Sequence, residues 1–194
     1  KGRRLPIIDR VEISIIEENQ PRWLNFLQGA TDVLEDVPAE YIEQALPGGK
    51  VAPYLAKKGI SGQRVVRSAT DYTVFHLQDP VVGGYEPHKV ALRRAIGLAI
   101  DLPTEIQRAR RGQSIPAQSA STPHTYAYDP AFKSENGEYN LPRAKALLQM
   151  YGYVDKDGDG WREAPDGQPL ALRKMTQSGQ TSRELDDLFR RDMK

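Results

Sequence analysis

Apolar and polar positions follow two different rhythms along this chain. Near the N-terminus Val11, Ile13 and Ile15 alternate with Glu12 and Ser14, the two-residue period of a half-buried strand. Leu24 and Leu27 then share a helical face, with Pro21 where a first turn tolerates it and Gly29 placed to stop the helix. Val33-Leu34 reads as a second short strand. Strand, helix and strand in such close succession form a crossover unit and favour an α/β class.

A helical stripe returns at Ile42, Ala45 and Leu46, between Pro38 and the pair Gly48-Gly49. Val51 to Lys58 predicts another short helix ending at Gly59. Val65-Val66 and Tyr72 to Leu77 are rich in strand-forming residues, with a turn at Asp71. From Asp79 to Pro87 come two prolines and the adjacent pair Gly83-Gly84. That break is the expected boundary between structural units.

Beyond the break Leu92, Ala95, Ile96 and Ala99 recur at the spacing of one helix face. A second helix is predicted over Pro103 to Arg111, closed by Gly112. Ser114 to Pro130 is rich in Ser, Pro and Thr and reads as an ordered surface loop. Asn140 is placed to cap a helix carrying Ala144, Leu147, Leu148 and Tyr151, which Gly152 ends. Leu170 to Met175 predicts a strand. Thr181 and Glu184 have capping-box spacing ahead of Leu185, Leu188 and Phe189.

Charge and composition narrow the chemistry. Lys and Arg total 27 against 26 Asp and Glu, so no basic face for a nucleic-acid backbone is expected. The one tight basic cluster outside the N-terminus, Arg108, Arg110 and Arg111, falls in the last turn of a predicted helix, where cations complement the unpaired carbonyls. With no cysteine, disulfides, thiol nucleophiles and Cys-ligated metals are excluded. No apolar run approaches the roughly 18 residues needed to span a bilayer. No signal peptide is visible, since the chain opens Lys1-Gly2-Arg3-Arg4 and turns almost directly to a strand pattern; a mature or excised segment has the same look.

Catalytic candidates are scarce. His76, His88 and His124 lie far apart, so a histidine-based site would have to be assembled by the fold, and the latter two read as solvated loop residues. No nucleophile has a base beside it, and no glycine loop cradles phosphate, so neither an enzyme nor a cofactor is expected. One acidic run has metal-like spacing. Counting from Asp155, carboxylates follow at Asp157 and Asp159, then Gly160, Glu163 and Asp166, close to a calcium loop. Asp166 is shorter than the usual bidentate Glu, and Pro165 and Gly167 deny the loop an exiting helix. An Asp/Gly turn leading into a hairpin is the other reading of the same residues.

Five phrases carry a family resemblance. They are Leu5 to Ile16 (LPIIDRVEISII), Leu24 to Val33 (LNFLQGATDV), Val90 to Asp101 (VALRRAIGLAID), Asn140 to Tyr153 (NLPRAKALLQMYGY) and Asp157 to Leu172 (DGDGWREAPDGQPLAL). In order and spacing they resemble the extracellular solute-binding proteins of ABC importers, family 5, the dipeptide and oligopeptide class. The resemblance covers nearly the whole chain and implies an internal fragment of a longer, two-lobed protein of the class C periplasmic-binding fold. It implies that residues 1–78 belong to a first, hinge-proximal lobe and residues 79–194 to the N-terminal half of the second.

The function so implied is capture of a peptide or other small solute between the lobes and delivery to ABC permease subunits. The implied protein is a monomer, periplasmic or at the cell surface, and does not bind nucleic acid. His76, Gln78 and Asp79 are the implied ligand-binding residues, because the matching strand end lies at the interlobe junction. His76 stands where the family usually has Asn, so the ligand class is less closely implied than the family; a partly buried strand histidine is its other reading. The rival to the importer reading is a calcium-stabilised structural or interaction module centred on Asp155 to Asp166.

Overall fold

The computed structural model describes residues 2, 4, 5 and 7–194. Lys1 and Arg3 of the opening, and Pro6 of the first family-like phrase, lie outside the described residues. The chain divides into two compact units, Lys1–Gly62 and Gln63–Lys194. Residues 63–78 therefore group with the second unit.

In the first unit the alternating segment joins no sheet. Ile13 and Ile15 are 85% and 89% exposed. Helix α1 (Asn19–Leu27) follows, with Pro21 in its first turn as expected. The residue it buries is Trp23, whose ring stacks on Phe26 and Tyr41 at centroid distances of 6.0 and 5.6 Å. Leu24, expected on the buried face, is exposed. Helices α2 (Ile42–Ala45) and α3 (Pro53–Ala56) are single turns set beside it. Trp23, Ala45, Ala52 and Leu55 form the small core they enclose.

The second unit is built on α4 (Pro87–Ala99), whose predicted stripe is its buried face: Leu92, Ala95, Ile96 and Ala99 are all buried. Burying a residue such as Leu92 contributes about 1.5–3 kcal/mol. Helix α5 (Leu102–Arg108) starts where Asp101 accepts from the Thr104 N–H. Helix α6 (Leu141–Met150) packs Ala144 against Ala95, Leu98 and Ala99, and Asn140 caps it by accepting from the Arg143 N–H at 3.0 Å. Tyr153, 1% exposed, joins Leu92 and Ile96 in a second cluster, against which Phe75, Val81, Val82 and Phe189 pack. Helix α7 (Gln180–Asp192) closes the unit through Phe189 and the following Met193.

One expectation stays unconfirmed and one is corrected. Among the described residues there is no strand, only the isolated antiparallel bridges Val154–Glu163 and Glu163–Pro169. The α/β class is thus not seen in this chain: alternation reports which face of a segment is apolar, whereas a strand needs a hydrogen-bonded neighbour. The segments at Val11–Ile15, Tyr72–Leu77 and Leu170–Met175 have the pattern without the ladder. The capping box at Thr181 is also absent. Helix α7 begins at Gln180 behind Gly179, which puts Thr181 inside the helix with no cap to make.

Candidate functional site

The loop that follows the extended run is fixed from both sides. The Asp79 N–H donates to the His76 carbonyl at 3.0 Å and reverses the chain. Asp79 Oδ1 then accepts from the Val81 and Val82 N–H groups at 2.8 and 3.0 Å. These backbone donors, Val82 first and Val81 second, hold the Asp79 carboxyl below its ordinary range, and the charges of Arg173 and His76 act in the same direction. The loop closes as Gly83 N–H donates to the Asp79 carbonyl and Gly84 N–H to that of Leu77. A Cβ on Gly83 would stand 2.4 Å from the Asp79 oxygen and 2.5 Å from that of Leu77, so only glycine fits.

Helix α4 supplies the cations that hold the remaining carbonyls. Lys89 Nζ donates to the Pro80 and Val81 oxygens at 2.5 and 2.8 Å. Arg93 Nη1 donates to those of Val82 and Gly84 at 2.7 and 2.9 Å. Of the three expected ligand residues, then, Asp79 is half-buried and engaged with its own loop. His76 and Gln78 have exposed side chains that make no hydrogen bond within the described residues.

Three further arrangements were not legible from local pattern. Arg110, expected to serve a helix end, donates to Asp71 Oδ2 at 2.6 Å and Glu105 Oε1 at 3.1 Å. It therefore ties the extended run to α5, and these carboxylates raise its pKa against the opposing effect of burial. His88 lies in the first turn of α4 with its ring 6.5 Å from that of Tyr153. His124 places Nε2 3.0 Å from the Val66 carbonyl. His88, half-buried in a helix, thus departs from the solvated loop residue expected, whereas His124 is an exposed loop residue as expected.

A cavity of about 360 Å³ opens within the second unit between residues 70–72, residues 117–120, and Ser134, Asn136 and Gly137. No residue of the Asp79 loop lines it. The acidic run forms the turn that one of its two readings describes. Asp155 accepts from the Gly158 and Gly160 N–H groups, Asp157 from Asp159, Asp159 from Trp161, and Glu163 from Lys156. Oxygens of Asp155, Asp157, Asp159 and Glu163 converge within 4.8 Å of one another, while Asp166 stays outside this group and accepts from the Gln168 N–H. Beyond the turn, the isolated antiparallel bridges Val154–Glu163 and Glu163–Pro169 are the pairing among the described residues, short of the expected hairpin.

Known proteins place this architecture. Residues 1–190 match the bacterial extracellular solute-binding proteins, family 5 Middle. The chain belongs to that family. A curated relative from Deinococcus radiodurans, described as a probable ABC transporter-binding protein, is 22% identical over 187 residues. The alignment takes in 94% of this chain and 30% of the relative, so the chain spans about 30% of that relative's length.

Among solved structures, the mannohexaose-bound periplasmic oligopeptide-binding protein of an oligopeptide ABC transporter from Thermotoga maritima is 21% identical. Its TM-score is 0.51, over 81% of this chain and 28% of that one. This likeness supports the solute-binding fold. A second structure of that Thermotoga maritima protein is 25% identical over 58% of this chain and 22% of that one, with a TM-score of 0.48. No helix among the described residues is long and apolar enough to cross a membrane.

Proposed function

We propose that this chain is part of the substrate-binding component of an ABC importer. The observation that carries the reading is the family match over residues 1–190. In the proposed mechanism a solute enters between two lobes, the lobes close by a hinge motion, and the closed form delivers the solute to a membrane permease. No bond is made or broken; selectivity comes from contacts formed in the closed state. Residues 1–78 would serve the first lobe and residues 79–194 the second, with the protein monomeric and acting in the periplasm or at the cell surface.

At the junction, His76 and Gln78 offer their free side chains to the solute, and Asp79 holds the loop that presents them. The similar Thermotoga maritima protein is a periplasmic oligopeptide-binding protein with mannohexaose bound. A short peptide and an oligosaccharide are accordingly the two solutes to try first.

The test is titration calorimetry on the whole protein with peptides of two to five residues and neutral oligosaccharides, beside mass spectrometry of whatever small molecule co-purifies. A Kd of about micromolar for one class is expected, equivalent to roughly 8 kcal/mol. The 194-residue chain, which covers a minor part of the relative's length, should bind the same solute far more weakly. A whole protein that binds neither class and carries nothing through purification would refute the importer reading.

A further inference from the structure

The cavity beside Tyr72 has walls that brace one another. Gln118 Oε1 accepts from the Ser134 N–H at 2.9 Å, and Ser134 Oγ accepts from the Asn136 N–H at 3.1 Å. Gly137 leaves room for the Gln118 amide, since a Cβ there would stand 2.7 Å from its Nε2. Arg110 fixes Asp71 on the facing wall. The volume, about 360 Å³, lies within the range of small-solute pockets, roughly 300–1,000 Å³.

The lining selects a ligand class. It includes no Lys, Arg or His, and its one charged side chain is Asp71. Asp71 is itself paired with Arg110, so a carboxylate or phosphate would find no unpaired counter-charge in the lining. The remaining polar side chains are hydroxyls and amides, including Gln118, whose Nε2 donates to no other described residue, and Asn136, whose side chain makes no hydrogen bond within the described residues. Donors and acceptors mixed in this way suit a solute dense in hydroxyl groups. Tyr72, 80% exposed, adds a rigid ring face for the apolar side of a flat solute.

We propose that this cavity receives one ring of a neutral sugar, stacked on Tyr72 and held by hydroxyl contacts to Asp71, Gln118 and Asn136. The proposal rests on the solute-binding function above and names a ligand class for it. A peptide's free amino end, which would also suit Asp71, is the competing occupant.

Amide NMR on the 194-residue chain separates them, with mannohexaose and trialanine as probes at millimolar concentration. Mannohexaose should shift the amides of Thr70, Tyr72, Gln118 and Asn136 together. Tyr72→Ala should weaken binding about fivefold, as loss of a ring contact does, while Tyr72→Phe keeps most of it. Asn136→Ala should weaken it about threefold through one lost hydrogen bond, with the fold unchanged. Shifts of these amides by trialanine but not by the sugar would overturn the sugar assignment and leave solute binding intact. Shifts confined to His76 and Gln78 would overturn the cavity and leave solute binding intact. No shift from either probe overturns the proposal; the function falls with it only if the whole protein also binds no solute by calorimetry.

Discussion

Two Asp/Gly loops in this chain look alike in composition and differ in what confines them. In both, aspartates accept from backbone N–H groups a few residues on. The loop from Asp79 to Gly84 is also gripped from outside, its carbonyls held by Lys89 and Arg93 and its Gly83 pressed against two backbone oxygens. The loop from Asp155 to Glu163 holds itself. Gly158 and Gly160, at φ of 81° and 92°, have nothing within 4 Å of where a Cβ would stand. Self-made turns of this kind tolerate change, whereas a loop clamped by a core helix transmits any change to that helix.

The largest expected effect follows from that contrast. Gly83→Ala forces a methyl group onto the Asp79 and Leu77 carbonyls and should destabilise the second unit by about 3 kcal/mol. Gly160→Ala meets no obstacle and suffers only its left-handed backbone, about 1 kcal/mol. Hydrogen exchange of the α4 amides measures both. Equal losses would mean that the clamp on the Asp79 loop contributes nothing.

Arg93→Met comes between these two. It removes two charge-assisted hydrogen bonds and leaves the Val82 and Gly84 carbonyls without that donor, a loss of about 2 kcal/mol. Arg94→Met, which gives up only an exposed pair with Glu135, should cost about 0.5 kcal/mol or less. If the two substitutions behave alike in the same exchange measurement, Arg93 is not bracing the loop.

Acid gives a gentler test. Asp79 has its pKa lowered in the folded chain, so its contribution to stability is complete above its ordinary value of 3.8. That contribution is lost as pH falls from there through the lowered value. Asp79→Asn should therefore flatten the loss of stability expected below about pH 4, with urea melts of both chains as the measurement. A parallel pair of pH curves would show that the carboxylate, as opposed to the turn it sits in, is immaterial.

What the sequence disclosed follows the range of the interaction. Helix α4 was legible because Leu92, Ala95, Ile96 and Ala99 repeat locally, and the same holds for the Asn140 cap. The expected strands find no ladder among the described residues, because the pattern at Val11, Ile13 and Ile15 specifies a face but names no neighbour. Of the candidate site, the Asp79 loop was visible as a break. Its clamp was hidden in two cations, Lys89 and Arg93, that read as ordinary helix-surface residues. The cavity was the least legible part. Its walls meet through Gln118 with Ser134 and Arg110 with Asp71, and the latter pair is 39 residues apart. No local period encodes a contact of that kind.

The smallest expected effect concerns the self-made loop and calcium. Each of the four converging carboxylates already accepts at least one backbone N–H, so the turn itself accounts for their convergence. Calcium takes about 6–8 oxygens, and a twelfth-position carboxylate normally supplies two of them. Here Asp166 lies outside the cluster and bonds to Gln168. With four exposed or half-buried carboxylates, most of the coordination shell would have to be water. Thermal melts should accordingly show no rise in Tm at about 10 mM calcium, a concentration well above the Kd of even weak extracellular sites. A rise that Asp157→Ala abolishes would restore the cation reading, and would make this loop, like the one at Asp79, dependent on a partner beyond itself.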